Sequence, residues 1–201
     1  MKIIDEPRNA RSRRTSTSLL RAGRELIEEQ GFQAFTMTAV AERAGVSRRA
    51  VYLHFATRTD LLIALYRSLG QTEELAASLQ AVWDCPDGVS ALAEWARHIA
   101  RSHPRILAII LAVERARDGD KDAADLRATI QGNWLKGSRR LIQWLADDGR
   151  LAPHWSVDTA SDLMWALMSP DLLDRLLTER HWSRGQLAEH LEVLFRSTFV
   201  R

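Results

Sequence analysis

With 201 residues, 46% of them hydrophobic, the chain is long enough to bury a core as one large or two small domains and too apolar to be disordered. A single cysteine, Cys85, excludes an intrachain disulfide, and the longest apolar run, "ILAIILAV" at 106–113, is far too short to span a bilayer. The formal net charge of +2 hides an asymmetry: residues 1–60 carry eleven Arg/Lys against seven Asp/Glu, and residues 61–201 carry seventeen against nineteen. The basic excess sits at the front, as a nucleic-acid contact requires, although a four-charge bias is also compatible with a solvated face.

Helical signals run through nearly the whole sequence, and no segment shows the alternation of a strand. Residues 1–11 read as a loose, polar, arginine-rich tail without the apolar core of a secretory signal, so the cytoplasm is the expected location. A first helix is expected over about 12–30, with Leu19, Leu20, Leu26 and Ile27 on its apolar side and Gly31 as its stop. Phe32 and Phe35 turn the chain inward. Thr36 or Thr38 caps a second, short helix, "TAVAERA", which ends before Gly45, and Ser47 caps a third. A fourth helix is expected over about 59–80.

Beyond it, "SALAEWARHIARS" reads as a helix with Leu92, Trp95 and Ile99 on one stripe, and Pro104 is placed to open a separate helix over 104–117. "RDGDKD" is a polar break. A long helix follows over about 123–147 with Ile130, Trp134, Leu141, Trp144 and Leu145 inward. Ser156 caps a helix to about 168, "SPD" punctuates, and another helix covers about 171–180. Ser183 with Gln186 makes a capping-box pattern for a last helix to about 199.

The chemistry concentrates at "AGVSRRAVYLHF", 44–55. Two short helices joined by a turn containing "AGVS" form a helix-turn-helix pattern, whose second helix enters the major groove by its N-terminal end. Arg48 and Arg49 stand at that end. A guanidinium bonds a guanine edge bidentately or grips a phosphate. Adjacent residues diverge by about 100° around a helix, so the two do not share a base. Val51 and Phe55, four apart, anchor the opposite face. Local spacing alone leaves a solvated basic turn equally open.

The stretch "SLLRAGRELIEEQGFQAFTMTAVAERAGVSRRAVYLHFATRTDLLIALY", 18–66, resembles the N-terminal domain of the tetracycline-repressor (TetR) family of transcriptional regulators. The resemblance rests on "GF" at 31–32, Thr36 and Thr38, "AGVS" at 44–47, "VYLHF" at 51–55 and "TRTDLL" at 57–62, in order over about 50 residues. It implies an all-α fold: a three-helix helix-turn-helix DNA-binding domain at 12–66, then a helical ligand-binding and dimerisation domain at 67–201. It implies that Thr36 and Thr38 lie near phosphates, that Ser47, Arg48, Arg49, Ala50, Tyr52, Leu53 and His54 form the recognition face, and that Tyr52 meets a phosphate. His54 is either a contact or a packing residue. Arg58 stands where the family often has Lys, and a cation at a helix start suits a phosphate. Many members have Gly where this chain has Arg49, so their base contacts cannot be copied here.

The resemblance further implies a homodimer on a near-palindromic double-stranded DNA operator. Its bundle would use helices at about 156–177 and 184–199, with Leu172, Leu176, Leu187, Leu191, Leu194 and Phe195 as apolar stripes, or as ordinary monomer core. Six of the seven tryptophans follow residue 90. Trp95, Trp134 and Trp165, on three helices, would line a cavity for a small apolar or aromatic effector or simply fill core, and His98 would supply its polar contact or sit half-buried at the surface. No cofactor, metal site or membrane contact is expected, and no nucleophile elbow, phosphate loop or Cys–His motif points to an enzyme. The expected function is a repressor released by a small molecule. The alternative keeps DNA binding and makes the second domain a dimerising or protein-docking module.

Overall fold

The computed structural model describes residues 10–70 and 73–201, and among them every regular element is a helix. The expected tail at 1–11 lies almost wholly outside the described residues. The helices are α1 (Ala10–Gln30), α2 (Met37–Ala44), α3 (Arg48–His54), α4 (Arg58–Gly70), α5 (Glu73–Trp83), α6 (Gly88–Ala116), α7 (Lys121–Asp147), α8 (Val157–Leu167), α9 (Pro170–Asp174) and α10 (Arg184–Phe199). A short 3-10 turn, Phe32–Ala34, joins α1 to α2, and a π turn, Arg175–Glu179, follows α9. The fold is that of an N-terminal helix-turn-helix domain followed by a helical domain.

The residues divide into two compact units. The first takes the described chain up to Ser68 together with Ala112–Arg127, and the second takes the described part of Leu69–Leu111 with Ala128–Arg201. The first unit therefore contains the turn between α6 and α7 as well as α1 to α4.

In the first unit, Leu19, Leu26, Ile27, Phe32, Phe35, Val40, Val51, Phe55, Leu61 and Leu62 are all buried. Each such side chain contributes on the order of 1.5–3 kcal/mol, which is what holds helices as short as α2 and α3 in place. Thr36, not Thr38, caps α2: its Oγ1 accepts from the Ala39 amide at 3.1 Å. Gly45 ends α2 at φ 67°, the left-handed position that favours glycine. Ser47 Oγ then accepts from the Ala50 amide at 3.2 Å and starts α3.

The second unit packs around Leu75, Leu92, Ile99, Leu141, Leu145, Met164, Leu187 and Phe195. Both capping boxes are formed, Ser156 with Thr159 and Ser183 with Gln186. Of the helix expected over about 59–80, α4 and α5 are described, and residues 71 and 72 lie outside the described residues. Pro104 opens no helix but lies inside α6. Its ring forfeits an amide bond at a cost of about 3 kcal/mol, yet Ile99, Ile106, Leu107 and Ile110 are buried on both sides of it, and that continuous stripe outweighs the break. The bundle helix expected over 156–177 is broken at the expected "SPD" punctuation: α8, capped by Ser156, ends at Leu167 and Pro170 starts α9.

The small residue at Gly23 on α1 is required by Phe35: a Cβ there would stand 2.6 Å from Phe35 Cε2. Gly23→Ala is expected to destabilise the first unit by about 1–3 kcal/mol in urea unfolding, by overpacking.

Candidate nucleic-acid interface

α3 divides sharply into an inner and an outer face. Val51 is fully buried and Phe55, which caps its end, is 4% exposed, while Tyr52 is 49% and Leu53 77% exposed. Ser47, Arg48 and Arg49 are exposed at its start, and Ala50 and His54 are half-buried. The His54 ring tilts against Phe55 at 6.2 Å. Two guanidiniums, a phenol and an apolar side chain thus share the solvent side of a helix whose first amides have no intrahelical partners, a surface suited to an anion and to base edges. Thr36 is exposed and Thr38 half-buried at the start of α2. The α1–α2 contact is fastened by Arg43 of α2, which donates to Glu29 at 2.9 Å and approaches Glu25 at 3.6 Å. The hydrogen bond to Glu29 is the main cause of the raised Arg43 pKa.

Arg58 has a different setting from the other candidates. Its Nε donates to the Phe35 carbonyl at 2.6 Å, Nη2 to the Phe32 carbonyl at 3.3 Å, and Nη1 to Asp120 at 2.6 Å. Asp122 lies 3.5 Å away, and the guanidinium sits over the Phe32 ring at 4.7 Å. Thr59 Oγ1 donates to Asp122. The first turn of α4 is thus bound to the 3-10 turn and to the α6–α7 turn, all within the first unit. Burial acts to raise the Asp120 carboxyl, but the Arg58 hydrogen bond, the Ala123 amide and the Arg58 charge overcome it and hold the pKa below its ordinary value. Asp120 Oδ1 also accepts the Ala123 amide at 3.1 Å as the cap of α7. Sequence reasoning passed over Asp120 inside a polar break; an Asp just before an apolar-periodic helix is the signal that marks it.

In the second unit, Trp95 and Trp134 have different aromatic partners. Trp95 Nε1 donates to Met168 Sδ at 3.3 Å, and its ring packs against Trp83 and His98 at 5.9 and 5.6 Å. Arg101 donates to Ser78 Oγ at 2.8 Å, leaving the Ser78 proton for His98 Nδ1 at 2.9 Å. Trp134, 9% exposed, instead faces His103 at 5.0 Å. Burial is the main cause that pushes both His98 and His103 down to about 4. The Cys85 thiol donates to the Ala81 carbonyl at 3.3 Å, and burial raises its pKa, which disfavours the reactive thiolate.

Of the dimer candidates, Leu187, Leu191 and Phe195 are buried inside their own unit. Leu172 and Leu194 are exposed, as is Val193, and Leu176 is half-buried. Among the described residues no His, Cys, Asp or Glu cluster could hold a metal, and no helix is long and apolar enough to cross a membrane.

The model of the bacterial regulatory proteins of the tetR family matches residues 19–65. No curated protein matches the chain. Among solved structures, NalD of Pseudomonas aeruginosa, the secondary repressor of the MexAB-OprM multidrug efflux pump, is 24% identical over 95% of this chain and 98% of its own, with a TM-score of 0.73. A Saccharomonospora viridis protein solved with choline is 16% identical over 92% and 97%, TM-score 0.71. The regulator FadR of Bacillus subtilis, solved with stearoyl-CoA, is 17% identical over 89% and 96%, TM-score 0.70. At these identities the likeness to solved structures is one of fold.

Two stability measurements follow from this geometry. Arg58→Met takes one donor each from the Phe32 and Phe35 carbonyls and from Asp120 and is expected to cost about 2–3 kcal/mol in urea unfolding. His103 is neutral when folded and titrates near its ordinary 6.5 when unfolded. Between pH 6.5 and 4 the unfolded chain therefore binds more protons, so stability falls as pH falls through that window, by about 3 kcal/mol from His103. A pH series of unfolding curves on wild type and His103→Leu checks this, the variant being the flatter.

Proposed function

We propose, from the premise that its residues 19–65 make this chain a tetR-family DNA-binding regulator, that it is a repressor that binds a near-palindromic duplex as a homodimer and is released by a small molecule held in the second unit. One observation carries the DNA reading: α3 is anchored by Val51 and Phe55 and turns Arg48, Arg49, Tyr52 and Leu53 to solvent. The arginines at its start reach base edges or phosphates, Tyr52 meets a phosphate, and Leu53 covers apolar base surface. Thr36 and Thr38 stand beside the backbone at the start of α2, as do Ser47, Ala50 and His54 along α3.

Exposed Leu172, Leu194 and Val193, with half-buried Leu176, supply apolar surface for a second copy, and a dimer sets two recognition helices about one turn of DNA apart. Solved structures of like fold hold choline and stearoyl-CoA, which supports an effector in the second unit. The site is read as Trp95, His98, Trp134 and Trp165.

Arg58 serves the reading head from within. It fixes α4 and the α6–α7 turn to the 3-10 turn that precedes α2, so α2 and α3 present their faces from a rigid base.

Selection from random duplex DNA on the full-length protein tests the proposal. The expected winner is a palindrome bound at least about a thousandfold tighter than random DNA; weak, steeply salt-dependent binding with no winner would overturn it. On the selected duplex, Arg48→Ala or Arg49→Ala is expected to cost about 1–3 kcal/mol and relax one base position per half-site if it is the reader. The other is expected to weaken all sequences alike and reduce the salt slope by about 1.

A further inference from the structure

Among the described residues of the second unit, three buried polar atoms have no hydrogen-bond partner: His103 Nε2 on α6, Ser138 Oγ on α7 and Trp165 Nε1 on α8. His103 is 4% exposed and Ser138 is fully buried. Such atoms are rare in folded proteins, because leaving them unpaired forfeits their bonds to water.

The contacts between the helices link all three. The His103 ring faces Trp134, and Ser138 lies one turn beyond Trp134 on the same side of α7. Trp165 lies one turn before Met168, whose sulfur accepts the Trp95 indole N–H. The far edge of that indole packs so closely on Gly137, the neighbour of Ser138, that a Cβ there would stand 2.9 Å from it. The two lines of contact meet on α7 at 137–138.

The three atoms also have defined hydrogen-bonding roles. The Ile99 carbonyl acts as an acceptor for the His103 ring, and Ser102 Oγ lies 3.5 Å from Nδ1. This setting favours the proton on Nδ1, which leaves Nε2 as an acceptor. Trp165 Nε1 only donates, and Ser138 does either. His103 offers no charge: burial keeps it neutral near pH 7, and among the described residues the titratable group that acts on it is His98, equally neutral. A carboxylate or ammonium set against the His103 ring would find no counter-charge on it.

The geometry points to His103, Ser138 and Trp165 as the polar contacts of an effector site for a small, uncharged aromatic molecule that carries a hydroxyl or similar group able both to donate and to accept, its ring lying against Trp134. This deepens the effector reading above and rests on it. It moves the polar contact from His98, which Ser78 already occupies, to His103.

Calorimetric titration of the full-length protein with phenol and 2-naphthol, with benzoate and 2-naphthoate, and with naphthalene tests it. The expected result is that a hydroxylated probe binds about tenfold or more tighter than naphthalene and that neither carboxylate binds. Ser138→Ala, a mild change, is expected to abolish the preference for hydroxyl while keeping the affinity for naphthalene, and His103→Leu to do the same. The inference is overturned if a carboxylate binds as well as its hydroxyl counterpart, if the preference survives both substitutions, or if no probe binds, in which case the three atoms serve buried water. The same titrations repeated with DNA bound separate the two readings. Selective binding that leaves DNA affinity unchanged keeps the site and removes its regulatory role, whereas release of DNA by a carboxylate removes the site's selectivity.

Discussion

The first unit depends on one guanidinium. Arg58 satisfies two carbonyls of the turn between α1 and α2, neutralises Asp120 and lies over Phe32. A hydrophobic side chain could cover the Phe32 ring but could not satisfy the carbonyl and carboxylate oxygens that both turns also present. A planar fork of five donors meets several acceptors at once, which an ammonium on a flexible stem does not. With Asp120 also capping α7, the same carboxylate ends one interaction and begins a helix. The α6–α7 turn is in this way part of the structural unit that carries α3.

On that base, the helices of the candidate interface, α2 and α3, need little stability of their own. α2 and α3 have eight and seven residues, too few to be stable alone in water. Two side-chain caps, one left-handed glycine and a few buried apolar residues hold them instead. This arrangement leaves the outer face of α3 with no packing duty. Arg48, Arg49, Tyr52 and Leu53 are unconstrained by the core, so their identities answer to what lies outside the molecule.

How much of this is legible in sequence depends on how local the cause is. Ser47, Val51 and Phe55 are set by capping and four-residue spacing within nine residues, so α3 is readable without a structure. The two capping boxes at Ser156 and Ser183 are equally local. Pro104 shows the opposite case: it carries a local signal for a helix start, and a buried stripe on both sides, a tertiary cause, overrides it. Arg58 reads as a cation at a helix start, but its partners Asp120 and Asp122 are some sixty residues away, and no local pattern couples them. The apolar stripe of α10 is readable, yet spacing alone cannot say that Leu187, Leu191 and Phe195 face their own core while Leu194 faces out. The tryptophans are similar. Their helices are legible, but that Trp95 is consumed by packing and Trp134 meets His103 follows from contacts between helices.

The central claim is that α3 is the surface that meets DNA, held there by its own unit. Amide hydrogen exchange of the full chain, free and bound to a specific duplex, tests it most directly. The amides of Arg48 and Arg49 begin a helix and have no intrahelical acceptor, so in the free protein they exchange fast. The account predicts that DNA slows exchange at the starts of α2 and α3, residues 36–39 and 47–52. Slowing confined to α5–α10, with the start of α3 unchanged in the presence of saturating duplex, would contradict it.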